Sequence, residues 1–246
     1  MGYTRLRYTR SSYFGYLTPG VKWLLISNTA IFLLYYLGGA AVQGPARVLL
    51  ALYAEGAVRN FMIWQLFSYM FLHGGIMHLL FNMLALWMFG SMLEQDWGTR
   101  RFLKYYFLCG IAAGVCVLAA NMAIGDWGTP TVGSSGAIFG LLVAFGVLYP
   151  NQTVLMNFLF PIKAKYMVMI YAAIELLLTF GPNNGISTIA HLGGMAFGYI
   201  YLKSRWPRLG LADARSALNQ WRLQRAKRKF QVYMRKHGKG GGPRVN

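Results

Sequence analysis

Residues 133–149 read GSSGAIFGLLVAFGVLY, a glycine- and serine-rich start followed by an apolar run that stops before Pro150. The run from Ser135 to Tyr149 is apolar enough to be buried in a lipid bilayer. As a helix it would be about 22 Å long, whereas the hydrocarbon core of a bilayer is about 30 Å thick. A helix of this length that ends at one membrane boundary must begin, at Ser135, below the opposite surface.

The whole chain has the composition of a membrane protein. Of its 246 residues, 56% are hydrophobic and 12% are charged, and the mean hydropathy of +0.40 is too high for an ordinary soluble domain. Six stretches are apolar enough for burial in a bilayer, at about residues 23–41, 77–93, 102–120, 135–149, 166–180 and 187–202. We therefore predict an all-α, polytopic membrane protein, a bundle of six transmembrane helices with a short central fourth helix.

The basic residues predict the orientation of this bundle. Twenty-two of the 24 Lys and Arg residues would fall on one side, with Arg47 and Arg59 on the other. Basic loops stay in the cytoplasm, so both termini are predicted to be cytoplasmic. The predicted domains are an N-terminal segment (1–20), the six-helix domain (21–203) and a basic tail (204–246). We predict that the tail lies on anionic lipid headgroups; no base-stacking motif indicates nucleic-acid binding.

Polar side chains from three of the predicted spans share one depth in the membrane. His78 and Asn82 are four residues apart on one face of the second span, roughly 24 and 18 Å above the cytoplasmic boundary. Ser135, at the start of the fourth span, is at the depth of His78. His191 in the sixth span lies twelve residues from Lys203, roughly 18 Å above the same boundary. These four side chains are therefore predicted to converge.

The fourth and sixth spans also carry the means to approach each other closely. Each has a GxxxG pattern, at Gly136 and Gly140 and at Gly194 and Gly198. Without a Cβ at these positions, two helix backbones can pack near enough for Ser135 Oγ to reach an imidazole nitrogen of His191. Either pattern alone is equally typical of ordinary helix packing. Their position beside Ser135 and His191 favours a site.

The chemistry that uses such residues is acyl transfer by a serine nucleophile. Ser135 would give its proton to His191 as general base. The resulting oxyanion needs donors, which the Ser135 backbone N–H, the Asn82 amide and the His78 imidazole could supply. No aspartate is available at this depth to orient His191, so the pattern predicts a dyad, with the imidazole held by packing on an aromatic ring such as that of Phe139.

At these residues the sequence resembles the rhomboid family of intramembrane serine proteases, over about residues 23–203. The matching segments are Gly133–Gly136 for GxSG, His78–Asn82 for HxxxN, His191–Gly198 for HxxGxxxG, and Glu94–Phe102 for ExxWGxxRF. The resemblance implies that Ser135 and His191 are the catalytic dyad and that Asn82 and His78 contribute to the oxyanion hole. Gly133 would shape the loop backbone that helps to form the same hole.

The resemblance also implies the substrates, which are single-pass membrane proteins cut near the outer end of their transmembrane segment. They would reach the site laterally, past the fifth helix. The simple six-span layout suggests a bacterial cytoplasmic membrane, with the active site open to the outer side. In one departure from many relatives, Trp64 is followed by Gln65 rather than arginine in the long external loop, which puts the anchoring of that loop in doubt.

Other interpretations of the polar residues fit the sequence less well. An inactive relative would usually lack Ser135 or His191. A transporter using Glu175 as a proton site would not need GxSG at a helix start, and a buried neutral carboxyl explains Glu175 as well. His73 is interpreted as a structural residue. A zinc protease needs a motif such as HExxH, which the sequence lacks, so no metal and no cofactor are predicted.

Overall fold

The computed structural model of the chain describes residues 17–156, 160–180 and 188–204. Residues up to Ile200 form one compact unit, and Tyr201 begins a second. Most of the predicted N-terminal segment and nearly all of the predicted basic tail lie outside the described residues. The contact of the tail with lipid headgroups therefore stays a prediction.

Most of the described residues are helical. The helices are α1 (Pro19–Leu37), α2 (Gly39–Leu50), α3 (Gln65–Ser68), α4 (Ile76–Trp97), α5 (Thr99–Ile124), α6 (Ser135–Leu148), α7 (Ala164–Thr179) and α8 (residues 188–204). Single π-helical turns occur at Glu55–Arg59 and, within α4, at Leu86–Gly90, and a 3₁₀ turn at Tyr69–Phe71 follows α3. Each apolar stretch of the sequence overlaps one of the longer helices. The first stretch was predicted to run to Ala41, but α1 ends at Leu37 because the chain turns at Gly39, whose φ is +56°.

Three helices in the described part of the chain, α1, α4 and α5, are long and apolar enough to cross a membrane. The 14-residue α6 is a shorter apolar helix. Large apolar side chains stand outward on α1, where Leu34 and Leu37 are 71% and 79% exposed. A helix that exposes such side chains on its outer face is adapted to lipid rather than water. The chain is therefore a helical membrane protein.

A short β-hairpin, which was not predicted, occurs within the mostly helical chain. Strand β1 (Thr153–Met156) pairs antiparallel with β2 (Phe160–Lys163), with Val154 opposite Ile162. Four-residue strands are too short to show a period in the sequence, and Pro161 argues against a strand at that position. The hairpin connects α6 to α7, which begins directly after β2.

Helix α6 lies at the centre of the bundle, since ten of its 14 residues are buried. In its C-terminal half, Leu142 and Phe145 pack in one apolar cluster with Phe89 of α4 and with Ala164 and Met167 of α7. Its N-terminal end is Ser135. The central packing of this helix therefore fixes the position of the serine within the bundle.

A buried carboxylate joins the end of α4 to the start of α1. Glu94 is 3% exposed and accepts hydrogen bonds from the backbone N–H groups of Gly20 and Val21, at 2.7 and 2.8 Å. The hydroxyl groups of Thr18 and Thr99 also donate to it, at 2.5 and 2.6 Å. The first N–H groups of a helix have no partner within the helix and carry partial positive charge. Glu94 therefore caps α1 from another helix, which gives the glutamate of the ExxWG segment a structural function.

We expect Glu94→Gln to destabilise the protein by about 2 kcal/mol or more, the scale for a lost charge-assisted hydrogen bond. The amide keeps the shape of the side chain but replaces one acceptor oxygen with a donor that faces other donors. The midpoint of thermal unfolding in detergent measures the effect. Glu55→Gln is the matched control, because Glu55 is exposed. Equal midpoints for the two variants would contradict this function of Glu94.

Candidate active site

The structure brings Ser135 and His191 into hydrogen-bond contact. Ser135 is the first residue of α6 and His191 lies in the first turn of α8. Ser135 Oγ is 2.8 Å from His191 Nε2. When the imidazole carries its proton on Nδ1, the hydroxyl donates to Nε2, which is the contact through which a histidine can take a serine proton.

Glycine residues allow the backbones of α6 and α8 to come this close. A Cβ on Gly194 would overlap the carbonyl oxygen of Gly136. A Cβ on Gly198 would lie 3.3 Å from the Cα of Gly140, and one on Gly140 would lie 3.3 Å from the carbonyl oxygen of Gly194. All four glycines of the two GxxxG patterns therefore lie in the contact between these helices. They follow Ser135 and His191 within two helical turns.

An aromatic ring supports His191 from one side. Phe139, one turn after Ser135, stacks on the imidazole with ring centroids 4.2 Å apart and planes inclined by 14°. Tyr171 of α7 packs edge-on against Phe139, at 6.3 Å. The imidazole plane is thus restricted by a stack that extends from α6 to α7.

A carboxylate meets the other nitrogen of the same imidazole. Glu175 Oε2 of α7 lies 3.0 Å from His191 Nδ1. The prediction of a dyad considered aspartate alone as the partner of His191 and did not place Glu175 beside it. The sequence did hold a signal, because Glu175 is ten residues beyond Lys165, roughly 15 Å above the cytoplasmic boundary and close to the depth of His191.

The other predicted site residues lie around Ser135 as follows. His78 and Ser135 flank Gly133, since a Cβ at Gly133 would be 2.7 Å from His78 Cε1 and 3.8 Å from Ser135 Oγ. Gly133 also has a φ of +118°, which side-chain-bearing residues rarely adopt. Asn82 is buried, and its Nδ2 has no hydrogen-bond partner among the described residues. A buried amide donor without a partner is available to a ligand.

Backbone contacts hold the loop that precedes Ser135. Gly133 N donates to the carbonyl oxygen of Tyr69 at 2.9 Å, and the Tyr69 hydroxyl donates to the carbonyl oxygen of Gly110 on α5 at 2.6 Å. Further up the loop, Leu52 and Thr131 exchange two backbone hydrogen bonds, at 2.9 and 3.0 Å. The long segment between α2 and α4 thus braces the loop at Ser135.

Gln65, where the family resemblance leads to the expectation of arginine, anchors this bracing segment. Its side chain is fully buried, and Nε2 donates to the carbonyl oxygen of Val48 at 2.9 Å. Its Oε1 accepts from the backbone N–H of Tyr53 at 3.3 Å. A neutral amide satisfies both a donor and an acceptor of the loop backbone, so the change from arginine leaves the segment tied at this point.

His73 lies behind the site rather than in it. It is 2% exposed, its ring packs edge-on against that of His78 at 5.1 Å, and its Nε2 is 3.5 Å from Ser134 Oγ. Burial, with the repulsion of His78, lowers the pKa of His73 to about 4, so the side chain is neutral near pH 7. Within the described residues, no group of three or more His, Cys, Asp or Glu side chains is arranged to hold a metal ion.

A cavity of about 540 Å³ lies between α4, α6 and α7. Its wall is mostly apolar and includes Phe81, Met88, Phe139, Leu142, Met167 and Tyr171. Asn82 also faces this space. The cavity therefore joins an apolar surface to one of the predicted oxyanion donors.

The fold and this geometry define a class, a helical membrane protein with a serine–histidine pair inside its bundle. Residues 60–208 match the family model described as the Rhomboid domain. The chain belongs to the rhomboid family.

Individual relatives agree with this assignment. RHOMBOID-like protein 1 of Arabidopsis thaliana is 30% identical over 84% of this chain and 54% of that protein. Rhomboid protease GluP of Bacillus subtilis is 33% identical over 78% of this chain and 36% of its own length. Rhomboid protein 1, mitochondrial, of Saccharomyces cerevisiae is 34% identical over 53% of this chain and 38% of that protein. The chain thus spans between about a third and about half of the length of these relatives.

Proposed function

We propose that this chain is an intramembrane serine endopeptidase in which Ser135 is the nucleophile and His191 the general base. The observation that carries the proposal is the 2.8 Å contact between Ser135 Oγ and His191 Nε2. Membership of the family supports it, since one relative is named as a rhomboid protease.

In the first half of the reaction, Ser135 Oγ forms a bond to the carbonyl carbon of the substrate as its proton passes to His191 Nε2. The carbonyl oxygen becomes an oxyanion. When the C–N bond breaks, the same proton passes from Nε2 to the leaving amine and an acyl-enzyme remains. Water then attacks the ester and gives its proton to His191, which returns it to Ser135 Oγ.

Donors for the oxyanion come from groups around Ser135. We assign this function to the Asn82 amide, whose Nδ2 has no partner among the described residues, to the His78 imidazole, and to the backbone N–H at the start of α6. Gly133 shapes the loop between them. Fixed donors in a site with little water stabilise developing charge more than donors in bulk water do.

The substrates we propose are single-pass membrane proteins, cut near the outer end of their transmembrane segment. The apolar cavity between α4 and α7 supports lateral access, because a lipid-embedded segment could enter it without crossing a polar surface. A helix must unwind locally before its carbonyl can be attacked, which helix-breaking residues near the membrane surface facilitate.

For the bundle as a whole, we propose that α6, α7 and α8 complete six spans with α1, α4 and α5. The side with most Lys and Arg residues would face the cytoplasm and Ser135 the outer half of the membrane. The relatives include a bacterial protein, a plant protein and a mitochondrial protein of yeast. Similarity therefore does not single out the bacterial cytoplasmic membrane.

Labelling of the reconstituted protein with a fluorophosphonate tests the proposal. This probe reacts with a serine only when a base activates it, so wild type should be labelled and both Ser135→Ala and His191→Ala should not. Absence of labelling in folded wild type would contradict the proposal and favour a relative that binds membrane proteins without cutting them.

Asn82→Ala is expected to lower the rate of cleavage about 10- to 10³-fold while labelling at Ser135 remains detectable. Only one of several donors is lost, and the nucleophile and base are untouched. The measurement is the initial rate on a model transmembrane substrate. Asn28→Ala, which removes a buried asparagine of α1 bonded to Leu24, is the control for general destabilisation. An unchanged rate in Asn82→Ala would remove it from the oxyanion hole.

A further inference from the structure

Glu175 and His191 form a buried pair in the membrane. Glu175 Oε2 lies 3.0 Å from His191 Nδ1, and the two side chains are 11% and 17% exposed. Neither of these two atoms has a hydrogen-bond partner of good geometry among the described residues, so the 3.0 Å contact is an ion-pair approach rather than an aligned hydrogen bond. Burying a carboxylate without a partner costs much free energy. The imidazole of His191 is the group that offsets this cost for Glu175.

The other described neighbours of His191 contact other parts of its imidazole, so Nδ1 faces Glu175. Ser135 of α6 meets Nε2 and Phe139 covers one ring face. His78 of α4 also interacts electrostatically with His191, and like Glu175 it is titratable. Of the described groups that face His191, Glu175 is the one that can carry negative charge, so it opposes any positive charge gained by the imidazole.

We propose that Glu175 is a positioning residue that holds His191 with its proton on Nδ1 and pairs with the imidazolium formed during catalysis. This proposal rests on the function proposed above and replaces the predicted dyad with a set of three side chains. Reorientation of the two side chains at this distance lets the carboxylate accept the Nδ1–H, which leaves the Nε2 lone pair free for the proton of Ser135 Oγ. As that proton arrives, the imidazole becomes positively charged beside Glu175, and the carboxylate keeps its own charge throughout.

Glu175 also lies on α7, the helix proposed to border the path of the substrate. Displacement of α7 would separate Oε2 from Nδ1 and remove the orienting contact. The base would therefore be fully oriented only while α7 packs against α8, which links the position of this helix to activation of the serine.

Three variants separate positioning from simple packing. Glu175→Gln keeps the shape of the side chain but removes its charge and can donate to Nδ1, which favours the wrong tautomer. Glu175→Asp keeps the charge. Thr179→Val is the matched control, because Thr179 lies one turn along the same helix and its Oγ1 is 2.9 Å from Thr188 Oγ1 of α8. It removes this polar contact between the same two helices, together with the hydrogen bond from the Thr179 hydroxyl to the backbone carbonyl of Glu175 at 2.8 Å, and it leaves the Glu175 carboxylate and His191 in place.

We expect Glu175→Gln to lower kcat about 10- to 10³-fold with little change in KM, since the interaction is strongest when the imidazole is charged. Removing the carboxylate destabilises the imidazolium, so the acid limb of the pH–rate profile should move to lower pH. Glu175→Asp keeps the charge, so the pH midpoint of its acid limb should equal that of wild type even where its rate falls. Thr179→Val should keep both the midpoint and most of the rate.

Protonation of the His191 imidazole can also be followed without catalysis, from the pH midpoint of a ¹⁵N NMR titration of His191 in the Ser135→Ala protein. The chain has four histidines, so comparison with His191→Ala identifies its signals. A lower midpoint in Ser135→Ala/Glu175→Gln, but not in Ser135→Ala/Thr179→Val, supports the pairing whatever reaction the protein catalyses. An unmoved midpoint overturns it, as does an equal shift in the Thr179→Val background. Should the Gln variant fail to fold, Glu175→Met, which is apolar and of similar length, takes its place in the Ser135→Ala protein. A lower midpoint of His191 then supports the pairing, and an unmoved midpoint overturns it.

Discussion

Ser135→Ala is expected to abolish cleavage of a model transmembrane substrate, with a loss of about 10⁴-fold or more, to the background rate. Alanine removes the oxygen that attacks the carbonyl carbon, and the structure describes no other hydroxyl within hydrogen-bond distance of His191. A water molecule in the vacated space would lack the orientation that the first turn of α6 gives the serine. The measurement is the initial rate in proteoliposomes, beside thermal unfolding in detergent.

The neighbouring serine provides a matched control for this prediction. Ser134 is fully buried, and its Oγ lies 3.5 Å from Nε2 of His73 rather than near His191. Ser134→Ala should therefore retain activity within about tenfold of wild type, the scale of a modest loss of packing or hydrogen bonding. Wild-type cleavage by Ser135→Ala, or equal loss in the two variants, would contradict the assignment of Ser135 as nucleophile.

The sequence predicted the helices well, for a physical reason. Lipid requires backbone hydrogen bonds to be satisfied within each segment, so a long apolar run in a membrane protein is almost always a helix. The apolar run at Ser135 predicted a helix, and the structure has α6 from Ser135 to Leu148. Segments outside such runs follow weaker rules. The hairpin at Thr153–Met156 and Phe160–Lys163 depends on cross-strand pairing that no local pattern reveals.

The candidate site was only partly predictable. Depth measured along each helix indicated that Ser135 and His191 share a level, because residue number converts directly into height in a membrane. It says nothing of rotation about the helix axis, which decides which side chains meet. For that reason the contact between Glu175 and His191 was not foreseen, although their depths agree. The anchoring of Gln65 on Val48 and Tyr53 likewise needs coordinates.

The crossing of α6 and α8 is the structural condition on which the serine–histidine contact depends. Gly194 follows His191 by three residues, and Gly136 directly follows Ser135. A Cβ on Gly194 would overlap the carbonyl oxygen of Gly136, which is backbone and cannot rotate away as a side chain could. Only separation of the two helices can relieve the overlap, and this separation would act directly on the distance from Ser135 Oγ to His191 Nε2.

Gly194→Ala is therefore expected to destabilise the protein by about 1–3 kcal/mol and to lower both labelling and cleavage at least about 10²-fold. Gly44→Ala is the control, since Gly44 lies within α2 and a Cβ there would meet no atom within 4 Å outside its chain neighbours. Alanine favours a helix by about 1 kcal/mol over glycine, but at position 44 the following Pro45 offsets part of this gain, so Gly44→Ala sets a conservative baseline for stability. Thermal unfolding and fluorophosphonate labelling should be measured on both. If Gly194→Ala kept the stability and labelling of Gly44→Ala, close backbone packing would not be what holds His191 against Ser135, and the aromatic stack of Phe139 with the Glu175 contact would have to hold it instead.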